Sequence, residues 1–129
     1  MNKNNYSVLK DKTILVVNTG SIKKRFILQR LKKLGMRTIV LHKEKNWAQP
    51  YIDHWIIADT NDHQESIMAV ANFLKSNPNV KVGGVVTFWE DDVLLTSRIS
   101  DKFNWIGIPY SIAKNVRNKF LFREFCRKN

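Results

Sequence analysis

The sequence has one cysteine, Cys126, in 129 residues. No disulfide can form within the chain, which suits a reducing compartment. Long apolar runs are also missing. None approaches the roughly 18 residues that a bilayer-spanning helix needs, and the first eleven residues are polar, with no apolar core of a secretory signal. The expectation is a soluble chain in the cytoplasm, with no membrane partner. Glycine is scarce, at five residues. Gly20 stands alone in the first turn, with no G-x-G-x-x-G and no Lys-Ser/Thr pair after it. That argues against a dinucleotide site or a phosphate loop of the usual kinds.

Acids are few as well. Eleven Asp and Glu stand against 22 Lys and Arg, a formal net charge of +11. Nucleic-acid binding is the first reading of such an excess. A phosphate-binding site, or a domain separated from an acidic partner, explains it equally. The cations do not form one block. Lys23, Lys24, Arg25, Arg30, Lys32 and Lys33 fall on one expected helix, and Lys114, Arg117, Lys119, Arg123, Arg127 and Lys128 fall near the C-terminus. Charge alone therefore argues against nucleic acid as the main partner.

What is present is an ordinary share of apolar residues, 43%, in a chain of single-domain length. Strand and helix patterns alternate. Thr13-Ile14-Leu15-Val16-Val17-Asn18 and Thr38-Ile39-Val40-Leu41 are continuous β-branched runs, as in parallel strands buried on both faces. Trp55-Ile56-Ile57-Ala58, Gly84-Val85-Val86-Thr87-Phe88 and Trp105-Ile106-Gly107 complete five expected strands. Between them lie amphipathic patterns. Ile27, Leu31 and Leu34 mark the first helix, stopped by Gly35. Ile67, Val70, Ala71 and Leu74 mark the second, opened by Asp62 and Glu65 in the spacing of a capping box. Leu95, Ile99 and Phe103 mark the third, opened by Glu90, Asp91 and Asp92. Ser111 and Asn118 can each cap a further helical stretch. The pattern predicts an α/β, Rossmann-like parallel sheet of about five strands with helices on both faces.

In such folds ligands bind at the carboxyl ends of the strands. That edge holds residues 18–21, 42–45, 59–61, 87–90 and 107–110. Asp59 and Thr87 at strand ends suggest a phospho-acceptor receiver, but that chemistry needs acids after the first strand, where Asn18 stands; Asp59 reads as a turn or cap residue. His42, His54 and His63 lack ligand spacing, so no metal site is expected. Cys126 reads as a packing residue. Trp55 and Trp105 read as core. For Trp47 and Trp89, in loops, core filling competes with stacking on a ligand. Glu90 follows a strand end on the ligand edge. Its carboxylate can accept from a substrate amine or hydroxyl, or simply favour the helix dipole.

The order Gly84-Val-Val-Thr-Phe-Trp-Glu90, Trp105-Ile-Gly-Ile-Pro109 and Asn118-Lys119-Phe-Leu-Phe-Arg123 resembles the ATP-grasp superfamily. More narrowly, it is similar to carboxylate–amine ligases of the carnosine-synthase-like and carbamoyl-phosphate-synthase-like type. Lys119 and Arg123 match the family's Lys and Arg; Asn118 stands where Asp is usual, keeping a cap but not a charge. The resemblance implies a preATP-grasp domain over residues 12–110. A loosely ordered N-terminus over 1–11 would precede it, and the start of the ATP-grasp domain, cut short, would occupy 111–129.

It further implies ATP and Mg²⁺ as cofactors of the full-length enzyme and a reaction through an acyl phosphate. Lys119 becomes an ATP contact, since a compact ammonium suits a phosphate oxygen. Gly20, Thr87 and Glu90 become substrate-cleft candidates. No catalytic residue and no metal ligand falls in this stretch, and the 129 residues alone are expected to be inactive. Implied partners are the remaining ATP-grasp domain, a small carboxylate and an amine, with a homodimer as a further option. Two other readings stay open: a free-standing Rossmann-like module for an anionic small molecule or a partner protein, and a basic nucleic-acid-binding domain.

Overall fold

The computed structural model describes residues 10–107. The expectations placed on 1–9 and on 108–129, including Pro109, Asn118, Lys119, Arg123 and Cys126, lie outside the described residues.

Strand β1 (Thr13–Val17) is followed by a 3-10 turn (Ile22–Lys24) and helix α1 (Arg25–Lys33). Strand β2 (Arg37–His42) leads through a 3-10 turn (Gln49–Tyr51) to β3 (His54–Ile57). Helix α2 (His63–Ser76), β4 (Val82–Thr87), a third 3-10 turn (Glu90–Asp92) and α3 (Val93–Phe103) follow. All strand pairs are parallel, in the order β3-β2-β1-β4.

The continuous apolar runs are explained by burial on both faces. Leu15, Val17, Ile39, Leu41, Ile56 and Val85 pack on one face against Val70 of α2 and Leu95 and Ile99 of α3. Val16 and Val40 point to the other face, where Leu28 of α1 and Ala48 cover them. The side chains alternate with the period of a strand, and each fully buried aliphatic contributes about 1.5–3 kcal/mol. Helices on both faces of a parallel sheet agree with the architecture expected from the sequence. No helix among the described residues is long and apolar enough to cross a membrane.

The helix ends follow local chemistry. Asp62 accepts from the Glu65 amide at 3.0 Å, as the capping pattern predicts. The reciprocal arm is displaced: the Glu65 carboxylate accepts from the Asp59 amide at 2.6 Å. Helix α1 ends in a Schellman motif, with Met36 N–H on the Leu31 carbonyl (3.1 Å) and Gly35 N–H on Lys32 (3.0 Å). Gly35 takes φ +79° there, and its carbonyl accepts from Asp11.

The sheet has four strands among the described residues, not about five. Trp105-Ile106-Gly107 makes a single parallel bridge, Gly84 to Ile106. The cause is competition for backbone groups. Asn104 turns left-handed (φ 57°) to end α3, and Trp105 N–H bonds back to the Ser100 carbonyl at 3.0 Å. The Trp105 carbonyl accepts the Ser100 hydroxyl at 2.8 Å. The Ile106 carbonyl meets β4 at Val85 N–H, 3.1 Å away.

A Cβ on Gly35 would sit in the left-handed region and 3.1 Å from Lys10 Cγ. Gly35→Ala should therefore lower unfolding free energy by about 1–2 kcal/mol. Urea denaturation checks this; an unchanged midpoint would show that the turn relaxes without strain.

Candidate functional site

The strand order sets the location. From β1 the chain passes through α1 to β2 on one side of the sheet. From β3 it returns through α2 to β4 on the other side of β1. The order reverses between β1 and β4, so their carboxyl ends open a crevice between segments 18–21 and 87–92.

Asn18 organises the β1 side. It takes φ 68°, a conformation Asn tolerates better than most residues. Its amide oxygen accepts from Gly20 N–H at 2.8 Å, and its amide nitrogen donates to the Asp92 carboxylate at 2.8 Å. One side chain thus closes its own turn and ties it to the start of α3. Thr19, buried behind this turn, accepts from Asn46 at 2.8 Å, which draws in the loop after β2.

Gly20 takes φ +66°, and a Cβ there would lie 3.3 Å from Lys24 Cδ and 3.5 Å from Trp89 Cε3. Lys24 reaches across the crevice. Its ammonium donates to the Phe88 carbonyl and lies 5.6 Å from the Trp89 ring centroid. Trp89 is 40% exposed, so it does not fill the core; Trp47, Trp55 and Trp105 pack against the core clusters. Thr87 closes the β4 side. Its hydroxyl donates to the Val17 carbonyl at 2.7 Å and accepts from Trp89 N–H at 3.1 Å. Glu90 stands exposed at the start of the turn that follows.

Beneath this rim lies Asp92, 3% exposed. Burial pushes its carboxyl above the ordinary carboxylate range; the Asn18 bond pulls the other way, Asp91 adds to the rise, and the Thr60 hydroxyl and nearby His42 again oppose it. Burial lowers His42 below its ordinary value, helped by Lys43, and its Nδ1 is buried without a hydrogen-bond partner. Burial also lowers His63, followed by the charge of Arg98. The crevice thus has an ionic rim over a polar floor in which uncharged forms are favoured.

Gly20, Thr87 and Glu90 are therefore brought to one crevice. The Thr87 hydroxyl is committed to the backbone, so it shapes the opening. Lys119 lies outside the described residues. Asn18 lay on the expected ligand edge without an assigned role, and Lys24 and Asp92 were not expected from the sequence as site residues. Asp92 has a legible signal: it stands three residues before Leu95 and seven before Ile99, on the extension of α3's buried stripe. Asp59 is a turn residue, its carboxylate accepting from Asn61 N–H at 2.9 Å. Among the described residues there is no group of three or more His, Cys, Asp or Glu placed to hold a metal ion.

No family model matches the sequence. Carnosine synthase 1 of Mus musculus is 24% identical over 104 residues, covering 78% of this chain and 12% of that protein. The Homo sapiens protein of the same name is 22% identical over 114 residues, covering 85% and 13%. The chain thus spans 12–13% of the length of the curated relatives it matches. Among solved structures, the L-amino acid ligase from Bacillus licheniformis superposes with a TM-score of 0.70 at 18% identity, over 92% of this chain and 30% of its own. Phosphoribosylglycinamide synthetase from Anaerococcus prevotii gives 0.69 at 20%, over 92% and 29%. An ADP complex of N5-carboxyaminoimidazole ribonucleotide synthetase gives 0.63 at 20%, over 93% and 29%. At these identities the structures share a fold with this chain. These proteins are ATP-grasp ligases, the superfamily the sequence resembles.

The buried carboxyl has a pH consequence. Asp92 is raised above its ordinary 3.8 in the folded state. Between that value and the folded one, the folded chain holds a proton that the unfolded chain has released. Stability therefore falls as pH rises through this window and levels off above it. In Asp92→Asn that component should vanish, so the variant gains on the parent as pH rises from 3.8. Urea midpoints measured across pH for both chains check this; parallel profiles would contradict it.

Proposed function

We propose that this chain is the substrate-side α/β domain of an ATP-dependent carboxylate–amine ligase of the ATP-grasp type. The observation that carries this reading is the agreement of two independent likenesses: sequence similarity to carnosine synthases over 78–85% of the chain, and a shared fold with three ligases over 92–93% of it. Residues 12–110 form the preATP-grasp domain in this proposal, and 111–129 lead into the nucleotide-binding part.

The reaction it serves has two steps. The substrate carboxylate attacks the γ-phosphorus of ATP, forming an acyl phosphate and releasing ADP. The amine then attacks the acyl carbon, expels inorganic phosphate and leaves an amide after losing a proton. Positioning and electrostatic stabilisation carry most of the acceleration. Lys119 contacts ATP phosphates. Mg²⁺, when bound, would supply charge neutralisation at the phosphates. The β1–β4 crevice positions the acceptor side. Gly20 keeps the backbone accessible below Trp89 and Lys24. Glu90, exposed at the rim, accepts from the amine. Thr87 holds the two strand ends together.

The test is an assay of the polypeptide that carries this chain, with amino acids and dipeptides as substrates. ATP-dependent phosphate release should require a carboxylate, and hydroxylamine in place of the amine should yield an acyl hydroxamate. Loss of a charged phosphate contact, about 1.5–3 kcal/mol, should make Lys119→Ala raise KM for ATP by roughly tenfold or more. Glu90→Gln should raise KM for the amine and leave that for ATP unchanged. The 129 residues alone should turn over no ATP. Phosphate release without carboxylate dependence, or hydroxamate-free turnover, would overturn the proposal.

A further inference from the structure

One stretch of the chain carries charge of a single sign. From residue 22 to 37 there are seven cations, Lys23, Lys24, Arg25, Arg30, Lys32, Lys33 and Arg37, and no Asp or Glu. The acids of the described residues lie elsewhere, many of them at the carboxyl edge and on α2 and α3. Helix α1 therefore presents an outer face of one sign. Phe26, Arg30 and Lys33 follow the i, i+4, i+7 spacing of a single stripe.

This face is not a plain solvated helix. A surface hollow of about 660 Å³ lies between α1 and the turn before β3, lined by Phe26, Gln29, Arg30, Lys32, Lys33 and Tyr51. Two long-range contacts fix its walls: Lys32 donates to the Pro50 carbonyl at 2.9 Å, and Gln29 donates to the Tyr51 hydroxyl at 3.4 Å. Phe26 is 63% exposed, a large uncovered ring among cations. Among the described residues, the side chains of Arg30 and Lys33 have no hydrogen-bond or ion-pair partner.

We propose that this face of α1 binds single-stranded nucleic acid. The lining decides between polyanions. It holds two aromatic rings, three cations and one amide, and no aliphatic residue. An acidic peptide would pair with the cations and leave the exposed Phe26 ring unstacked. Bases need an open π-face, which Phe26 supplies beside the half-buried Tyr51, and phosphates need unpaired cations, which the Arg30 and Lys33 side chains supply. The site is independent of the crevice and does not rest on the ligase reading.

Fluorescence anisotropy with labelled oligo(U) and oligo(dT) of about 12 nucleotides tests this on the 129-residue chain. Contact with three to four phosphates predicts affinity falling about 20- to 50-fold between 50 and 200 mM salt. The double variant Arg30→Glu/Lys33→Glu should lose at least about tenfold. Phe26→Ala leaves the charge unchanged and should lose roughly fivefold or more, the cost of one stacked base. These side chains are exposed, so folding should survive, and circular dichroism verifies it. Two results would overturn the proposal. If polyglutamate competes as well as nucleic acid and Phe26→Ala binds like the parent, the face recognises acidic protein. If all variants bind oligonucleotide like the parent, the cations elsewhere in the chain carry the binding.

Discussion

The carboxyl edge of this domain depends on one residue held in a left-handed turn. Asn18 ends β1 with φ 68°, accepts from Gly20 N–H and donates to Asp92. Without that turn the chain would run on past the sheet, and Gly20 would not lie beneath Lys24 and Trp89. Without the amide bond, Asp92 would lose a donor in a site where burial already disfavours its charge. Asn is one of few residues suited to both tasks, since it tolerates the backbone conformation and offers a donor and an acceptor. The link also spans the order reversal of the sheet, joining the end of β1 to the start of α3.

Much of the fold was legible because it rests on patterns that local sequence carries. Leu15, Val16 and Val17 in one unbroken run signalled a strand buried on both faces. Asp62 with Glu65, and Gly35 after Leu34, marked helix ends that the structure places where expected. The fifth strand failed because its fate is settled by competition. Trp105 has the composition of a strand residue, yet its backbone groups are taken by the close of α3. The crevice was legible as a place, since strand ends are a general prior, but not in its wiring. Glu90 stood out as the first acid after a strand, whereas the buried acid is Asp92, two residues on. Its position on α3's apolar stripe was visible in the spacing. The clasp by Asn18 was not, because it joins residues 74 apart in sequence.

Charge is distributed with a purpose that the bulk value of +11 conceals. The crevice rim carries both signs, Glu90 and Asp91 with Lys24. The outer face of α1 is uniformly cationic. The two regions meet at Lys24, whose ammonium is already engaged by Phe88 and Trp89. A ligand at either region would sense the other mainly through screened, long-range fields.

In the proposed function, substrates of a ligation reaction meet this domain at the β1–β4 crevice. Amide hydrogen exchange on the polypeptide that carries this chain, with and without a non-hydrolysable acyl-phosphate analogue, tests it most directly. Added protection confined to residues 18–21 and 87–92, with 26–33 unchanged, is the expected result. Protection elsewhere in the domain, and none at those two segments, would contradict it.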